Sequence, residues 1–430
     1  MKIISLVGLG DIIKKSARTW EEFDKKGIKI LAADIIEKPL GLESLPNSAE
    51  FFNFSDAKDQ NSFFKTVKEN QLEFGYISNY PEVHLPTALE LRRFTKKIII
   101  PKPLDSNYLL ISTLLNETSF SSFISNVKVH DHYRNKPVVN ALKKIMPDLH
   151  RRYGYLRQLK LFLIEKKSTQ DEWYRKNTLD SGLILDLGPH LVSILQELIP
   201  KKLIWTDMGG HIFERIDRTI EVVSCGRGRD NLCILEPGAE TFALIHLRIH
   251  EDIVFYADDS KNNKVPVKNF MDVLLVMGKG VSVDQSSDDG DLKAIEMEFD
   301  GQSIYVNLDS YRIIPGEVEH LFKIRNIKIN HMHKGINLPL QNLLENDLKF
   351  NSSWTSDFFQ DFPDAWENAS ILNKARDLSK NKLGAYQTNV ACHDLINQFI
   401  AGKFGISSIW QVATSLNYLI IGSIPPDRIP

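Results

Sequence analysis

The chain has 430 residues, 43% hydrophobic and 25% charged, the composition of an ordinary globular protein with length for two cores. A formal net charge of −2 excludes a general attraction to nucleic acid or anionic membrane. Cys225, Cys233 and Cys392 are too few and too scattered for a disulfide framework or a zinc site, and no apolar run approaches the roughly 20 residues of a membrane-spanning helix. The thiols read as reduced, the location as cytoplasmic, and no metal is expected.

Residues 2–7 form a compact apolar run that ends at Gly8-Leu9-Gly10. This reads as a buried strand rather than a signal peptide, because glycine arrives early and no small-residue cleavage site follows. A helix is expected over 12–26, and a second strand over 28–34, closed by Asp34. Helices at 60–70 and 84–95 then alternate with strands at 74–78 and 97–100. That rhythm predicts right-handed βαβ units and a parallel sheet to about residue 130. Beyond it come a helix at 137–147, a half-exposed strand at 156–165 and a helix carrying Asp186 and His190. Strands are expected at 219–224, 241–250, 253–257, 272–277, 292–299 and 303–308, with turn signals such as Asp258-Asp-Ser, Asp289-Gly and Asp300-Gly between them. Consecutive strands with short turns predict a largely antiparallel sheet. Helical periodicity returns at 385–422. The expected architecture is an α/β chain. A Rossmann domain over 1–130 precedes an α+β domain over 131–430 with a large open, mostly antiparallel sheet. The helices of 385–422 are free to pack back on the first domain.

Four motifs carry chemistry. Gly8-Leu9-Gly10-Asp11-Ile12-Ile13 has the glycines that let backbone approach a pyrophosphate, although its third small position is Ile13. Asp34 stands where an acid accepts hydrogen bonds from a ribose, which favours NAD and leaves NADP open. Lys102, flanked by Pro101 and Pro103, lies at a strand end, where it could stabilise negative charge developing on a hydroxyl oxygen. Asp186 and His190 are four residues apart, one helical turn, which suits a proton acceptor and an orienting carboxylate. His132, Tyr133, Arg134 and Lys136 form an inventory suited to an anionic, hydroxylated ligand. Each motif alone is as well explained by a plain turn, a solvated lysine, a surface pair or a charged loop.

In order and spacing, these pieces resemble the Gfo/Idh/MocA family of sugar oxidoreductases, named for glucose–fructose oxidoreductase and inositol dehydrogenase. The segments that carry the resemblance are 7–13, Ile77-Ser-Asn-Tyr-Pro-Glu-Val-His84, Ile100-Pro-Lys-Pro103 and Leu185-Asp-Leu-Gly-Pro-His190. The resemblance implies a catalytic Lys102, Asp186 and His190, with the Lys102–Pro103 bond cis. It implies a cofactor site of Gly8, Gly10, Asp11, Ile12, Asp34, Asn79, His84 and Lys102. Pro101 replaces the family's glutamate, Asn79 its threonine and Ser193 a further aspartate. Asp131-His-Tyr-Arg-Asn-Lys136 also resembles the phosphate-gripping stretch of glucose-6-phosphate dehydrogenases, which implies a substrate site at His132, Tyr133, Arg134 and Lys136.

The expected activity is NAD(P)-dependent hydride transfer from a hydroxyl of a sugar, sugar phosphate or polyol, with substrate at the domain junction. A non-redox sugar-converting enzyme of the same fold and a sensor without turnover are the alternatives. No nucleic acid or membrane partner is expected. A large exposed sheet face predicts a homodimer or homotetramer.

Overall fold

The computed structural model describes residues 2–95, 97–105, 107–165, 183–199, 202–205, 211–227, 233–234, 242–256, 264–279, 291–329, 336–348, 359–382 and 387–388. By internal packing the chain divides into two units, Met1–Pro137 with Met332–Ser370, and Val138–His331 with Ile371–Pro430.

The first unit is built on β1 (Ile3–Val7), β2 (Lys29–Asp34), β3 (Glu50–Asn53), β4 (Phe74–Ile77), β5 (Ile98–Pro101) and β6 (Val127–His130). They stand in the order β6-β5-β4-β1-β2-β3, all parallel, with a short antiparallel strand, Gln360–Asp361, on the edge of β6. This is the doubly wound Rossmann order, and its direction reverses between β1 and β4. The strands are apolar on both faces because helices cover both. Ile3 and Val7 point to one side, against Phe63, Leu85, Ala88 and Ile111 of α3 (Ala57–Glu69), α4 (His84–Leu91) and α5 (Tyr108–Asn116). Ile4 and Leu6 point to the other, against Ile13 of α1 (Asp11–Lys15) and Trp20 and Phe23 of α2 (Ala17–Lys25).

Sequence periodicity gave a single helix at 12–26; the structure has two. The break falls at Ser16, with φ −102° and ψ 13°, and the Trp20 indole N–H donates to the Ile13 carbonyl at 3.1 Å. The chain also returns to this unit. Leu340, Leu343 and Leu344 of the helix Leu338–Glu345 join the core with Trp20, and Phe362 and Ala365 join the opposite one. Residues 338–370, expected in the second domain, therefore complete the first unit. Their apolar positions complement β-sheet faces formed by residues more than two hundred positions earlier, which a local pattern does not reveal.

The second unit opens with α6 (Pro137–Tyr153) and carries one large sheet. Its strands are β7 (Leu156–Glu165), β8 (Lys202–Trp205), β9 (His211–Arg227), β10 (Cys233–Ile234), β11 (Phe242–Tyr256), β12 (Lys264–Lys279), β13 (Leu292–Phe299), β14 (Ser303–Asn307) and β15 (Ile313–Ile314). The order is β15-β14-β13-β7-β12-β11-β9-β10, with β8 on β9 and Gln387–Thr388 on β10. All neighbours are antiparallel except β7 and β12, which run parallel. The strands expected at 241–250 and 253–257 are one strand, β11. A register shift against β9 between His250 and Glu251 inserts an irregularity there. The extra residue, Ile216, lies on β9, and β11 pairs with β12 without interruption; in sequence the polar pair Glu251-Asp252 breaks the apolar pattern, so one strand reads as two. Apart from Gln387–Thr388, the helices expected at 385–422 lie outside the described residues. No described helix is long and apolar enough to cross a membrane.

Candidate functional site

In the first unit the expected cofactor residues gather where the strand order reverses. Gly8 follows β1 with φ +83°, the left-handed region that glycine occupies without cost. A Cβ there would lie 2.3 Å from the Asn79 amide nitrogen, so only glycine lets β1 and β4 end this close together. The Gly8 N–H donates to Ala33 O at 2.8 Å, and the Ser78 hydroxyl donates to Gly8 O. Between the glycines, the Leu9 amide donates to Asp34 Oδ2 at 2.6 Å, while Asp34 Oδ1 accepts from the Ile36 amide at 2.9 Å. Gly10 stands at the N-terminus of α1. Asp11 turns to its own helix surface and pairs with Lys15 at 2.5 Å, both largely exposed. Ile12 packs against the core. The space that a small residue at position 13 would leave is supplied by Gly41 instead. A Cβ at residue 41 would meet Leu9 O at 2.8 Å and Ile13 Cβ at 3.0 Å.

The far end of β4 is braced by His84, at the start of α4. Its Nδ1 lies 2.9 Å from Pro103 O and its Nε2 2.9 Å from Asn79 O. A neutral imidazole has one N–H, so it donates to one carbonyl and faces the other with a lone pair. Burial drives the ring's pKa down to about 4, against the pull of the Pro103, Asn79 and Leu104 carbonyls. Both nitrogens are thus engaged with backbone, and His84 reaches any ligand only through what it positions. Those segments are the Asn79 turn and the Lys102–Pro103 step, whose peptide bond is cis. The Asn79 side chain donates from Nδ2 to Thr87 Oγ1 at 2.9 Å. Lys102 is half-buried just past the end of β5, and its amide donates to His130 O at 3.2 Å.

The 130–136 stretch is a folded turn rather than an open loop. Asp131 is fully buried, and its Oδ1 accepts from the Tyr133 amide at 2.9 Å. Asn135 Nδ2 donates to Asp131 O at 2.8 Å. Tyr133 and Arg134 are buried; the Tyr133 ring has His132 at 4.6 Å and the Lys136 ammonium at 4.8 Å. Beside it, His130 Nδ1 is 2.9 Å from the Tyr76 hydroxyl. Burial lowers the His130 pKa to about 4, opposed by the Asp131 charge, and raises that of Tyr76.

In the second unit Asp186 and His190 do not share one regular helix. Leu183–Asp186 and Gly188–Leu198 meet at Leu187, with φ −95° and ψ −28°. Pro189 has no N–H for the carbonyl one turn back, which accounts for the break. The His190 amide still bonds Leu187 O at 3.1 Å, so the two side chains stay on adjoining turns. Gly188 permits close packing, since a Cβ would meet Leu372 Cδ2 at 2.6 Å. Asp186, His190 and Ser193 are all buried. Lys279, the last residue of β12, places its ammonium 2.8 Å from Asp186 Oδ2 and 3.7 Å from Glu165 Oε2. Lys279 and Glu165 were not singled out by sequence, although each is the charged residue that closes an apolar strand. Around Lys293, burial alone would lower the ammonium's pKa, but Asp309, Glu165 and Asp291 hold it above the ordinary lysine range.

No family model and no curated protein matches the chain. Solved structures do. A myo-inositol dehydrogenase from Corynebacterium glutamicum is 12% identical, with 90% of this chain and 99% of that one covered at a TM-score of 0.53. GenD2 from gentamicin A biosynthesis, in complex with NAD, is 10% identical over 90% and 96%, TM-score 0.58. The WlbA dehydrogenase from Bordetella pertussis, in complex with NADH and UDP-GlcNAcA, is 12% identical over 90% and 98%, TM-score 0.57. These likenesses show the fold: a Rossmann sheet and a large, mostly antiparallel sheet, the architecture that the sequence resemblance implied.

Proposed function

We propose that the chain is an NAD-dependent oxidoreductase that takes hydride from a hydroxyl-bearing carbon of a sugar, sugar phosphate or polyol. The observation that carries this reading is Asp34, fixed by the Leu9 amide beside a glycine turn that no larger residue could form. The residues fit a dinucleotide. An ionised carboxylate offers about four lone-pair sites, and Asp34 uses two of them on Leu9 and Ile36, which leaves acceptors for ribose hydroxyls. Ile35 and Ile36 next to it are 68% and 51% exposed, an apolar flank for a base. Relatives of the same fold hold NAD and NADH, which supports NAD over NADP.

Bound NAD supplies the hydride acceptor. His190 accepts the hydroxyl proton, Lys102 donates to the hydroxyl oxygen, and Asp186 contributes a fixed negative charge one turn from His190. Gly8, Gly10, Asp11 and Ile12 form the phosphate-facing turn, and His84 acts through Asn79 and the Lys102–Pro103 step. His132, Tyr133, Arg134 and Lys136 are assigned to an anionic part of the substrate. The protein works in the cytoplasm as a homodimer or homotetramer in this reading.

The test is fluorescence titration with NAD and NADP, followed by NADH absorbance with a panel of sugars, sugar phosphates and polyols. NAD binding with NADH accumulation on one substrate class is expected. Tighter binding of NADP overturns the cofactor. NAD binding without NADH on any substrate overturns the dehydrogenase in favour of a sensor or a non-redox enzyme.

A further inference from the structure

Asp186 is a carboxylate in a poor place for a charge. It is 9% exposed, and burial takes a charged carboxylate out of water. A carboxylate so placed takes up a proton unless a cation compensates it. The compensating cation comes from the sheet, not from the helix. Lys279 is itself only 11% exposed, and its ammonium lies 2.8 Å from Asp186 Oδ2.

The sheet register explains why Lys279 is held there. β7 and β12 are parallel, and Glu165 and Lys279 are paired in register at their carboxyl ends, so both side chains leave the same face. Glu165 Oε2 is 3.7 Å from the Lys279 ammonium. On β13, Lys293 is paired with Leu163 and lies 3.9 Å from Glu165 Oε1, with Asp291 at 3.1 Å and Asp309 at 3.6 Å. Charges therefore alternate along one sheet end: Asp186, Lys279, Glu165, Lys293, then two aspartates. On β11, which also packs on the Leu183–Asp186 helix, His246 and Arg248 are engaged with Asp272, seven residues before Lys279 on β12. On the Gly188–Leu198 helix, the ionisable groups are His190 and Glu197, and Glu197 is paired with Lys143 at 2.7 Å.

We infer that Lys279 is a positioning residue of the candidate catalytic pair: it holds Asp186 as a fixed carboxylate beside His190, and Glu165 holds Lys279 in place. This rests on the dehydrogenase reading only for its kinetic consequence. With Asp186 charged across the working pH range, a proton arriving on His190 is stabilised there and is not passed to the carboxylate. Lys279 acts through Asp186 and need not touch substrate.

The test reads Asp186 directly, by carboxyl carbon-13 NMR on aspartate-labelled protein, with the Asp186 signal identified by its loss in Asp186→Asn. The Asp186 midpoint of the wild-type chain is the reference. In Lys279→Met its midpoint should rise by at least about one pH unit, tenfold in the dissociation constant. Lys279→Arg should restore it. Where turnover is measurable, the acid limb of kcat should rise with that midpoint in Lys279→Met and return in Lys279→Arg, with NAD affinity unchanged. An Asp186 midpoint that is the same in Lys279→Met as in wild type overturns the proposal. A midpoint that moves in a protein that turns over no substrate leaves Lys279 assigned and removes the dehydrogenase instead. If Lys279→Met does not fold, Lys279→Met/Asp186→Asn, which removes both charges, should recover folding; failure to recover also overturns the assignment.

Discussion

The Leu9 amide donates to Asp34 Oδ2 across 2.6 Å, which ties the turn after β1 to the end of β2. One carboxylate thus serves the fold and the proposed ribose site together, and the two roles separate on substitution. Asp34→Ala removes an ionic acceptor from both. Hydrogen bonds to charged groups contribute about 1.5–3 kcal/mol, so NAD affinity should fall about 10- to 100-fold. Asp34→Asn keeps one acceptor for Leu9 and lacks the charge that repels a 2′-phosphate. It should keep most of the stability and narrow the preference for NAD over NADP. Fluorescence titration and thermal melts check both; an Asp34→Ala protein that binds NAD as the parent does removes Asp34 from the cofactor site.

Gly8→Ala should be among the most damaging small substitutions in the chain. It combines a positive φ with a Cβ driven to 2.3 Å from backbone of Asn79, which cannot rotate away. The left-handed conformation alone costs roughly 1–2 kcal/mol for a residue with a Cβ, and the clash adds to it. Urea unfolding should show a loss above about 2 kcal/mol together with loss of NAD binding. Gly10→Ala is the control, because its nearest neighbour would be Ser78 O at an ordinary 3.7 Å. Equal effects at the two positions would contradict the packing account.

His84 and His130 make the first unit acid-sensitive. Each is buried neutral, with a folded pKa near 4 against 6.5 in an unfolded chain. Between those values the unfolded state binds protons that the folded state refuses. Stability is therefore complete above about pH 6.5 and falls as pH drops toward 4, by something on the order of 3 kcal/mol per histidine at the low end. Urea midpoints measured from about pH 7 down to about pH 5 should decline, and His84→Gln/His130→Gln should flatten the decline. An unchanged slope in the double variant would assign the acid sensitivity elsewhere.

What was legible in the sequence was what is local. Gly8, Gly10 and Asp34 lie within two adjacent βα steps, and the strand–helix rhythm alone places them where the sheet order reverses. Asn79, His84 and Lys102 follow strand ends in the same way. Lys279 and Glu165 were not legible, because a parallel pairing of β7 with β12 brings them together, and nothing in either segment names its partner. The Asp186/His190 helix was legible in spacing but not in its break, although Gly188-Pro189 is the signal for one. The role of His84 as a brace needed the positions of two carbonyls that belong to other elements.

The proton-transfer assignment is tested by a double-substitution cycle across the two units. His190→Ala should lower kcat by about 10²–10⁴-fold, the usual contribution of a positioned base, with NAD affinity unchanged. Lys102→Met removes a donor from the hydroxyl oxygen and should cost about 10²-fold or more in kcat. Groups that serve one step lose their effect together, so the double variant should be far less impaired than the product of the single losses. Multiplicative losses would mean that Lys102 and His190 act on separate steps, and the shared-hydroxyl mechanism would be withdrawn. If His190→Ala instead keeps near-parent turnover on a verified substrate, the base lies elsewhere. His132, half-buried against the Tyr133 ring in the 130–136 turn, is then the next histidine to substitute.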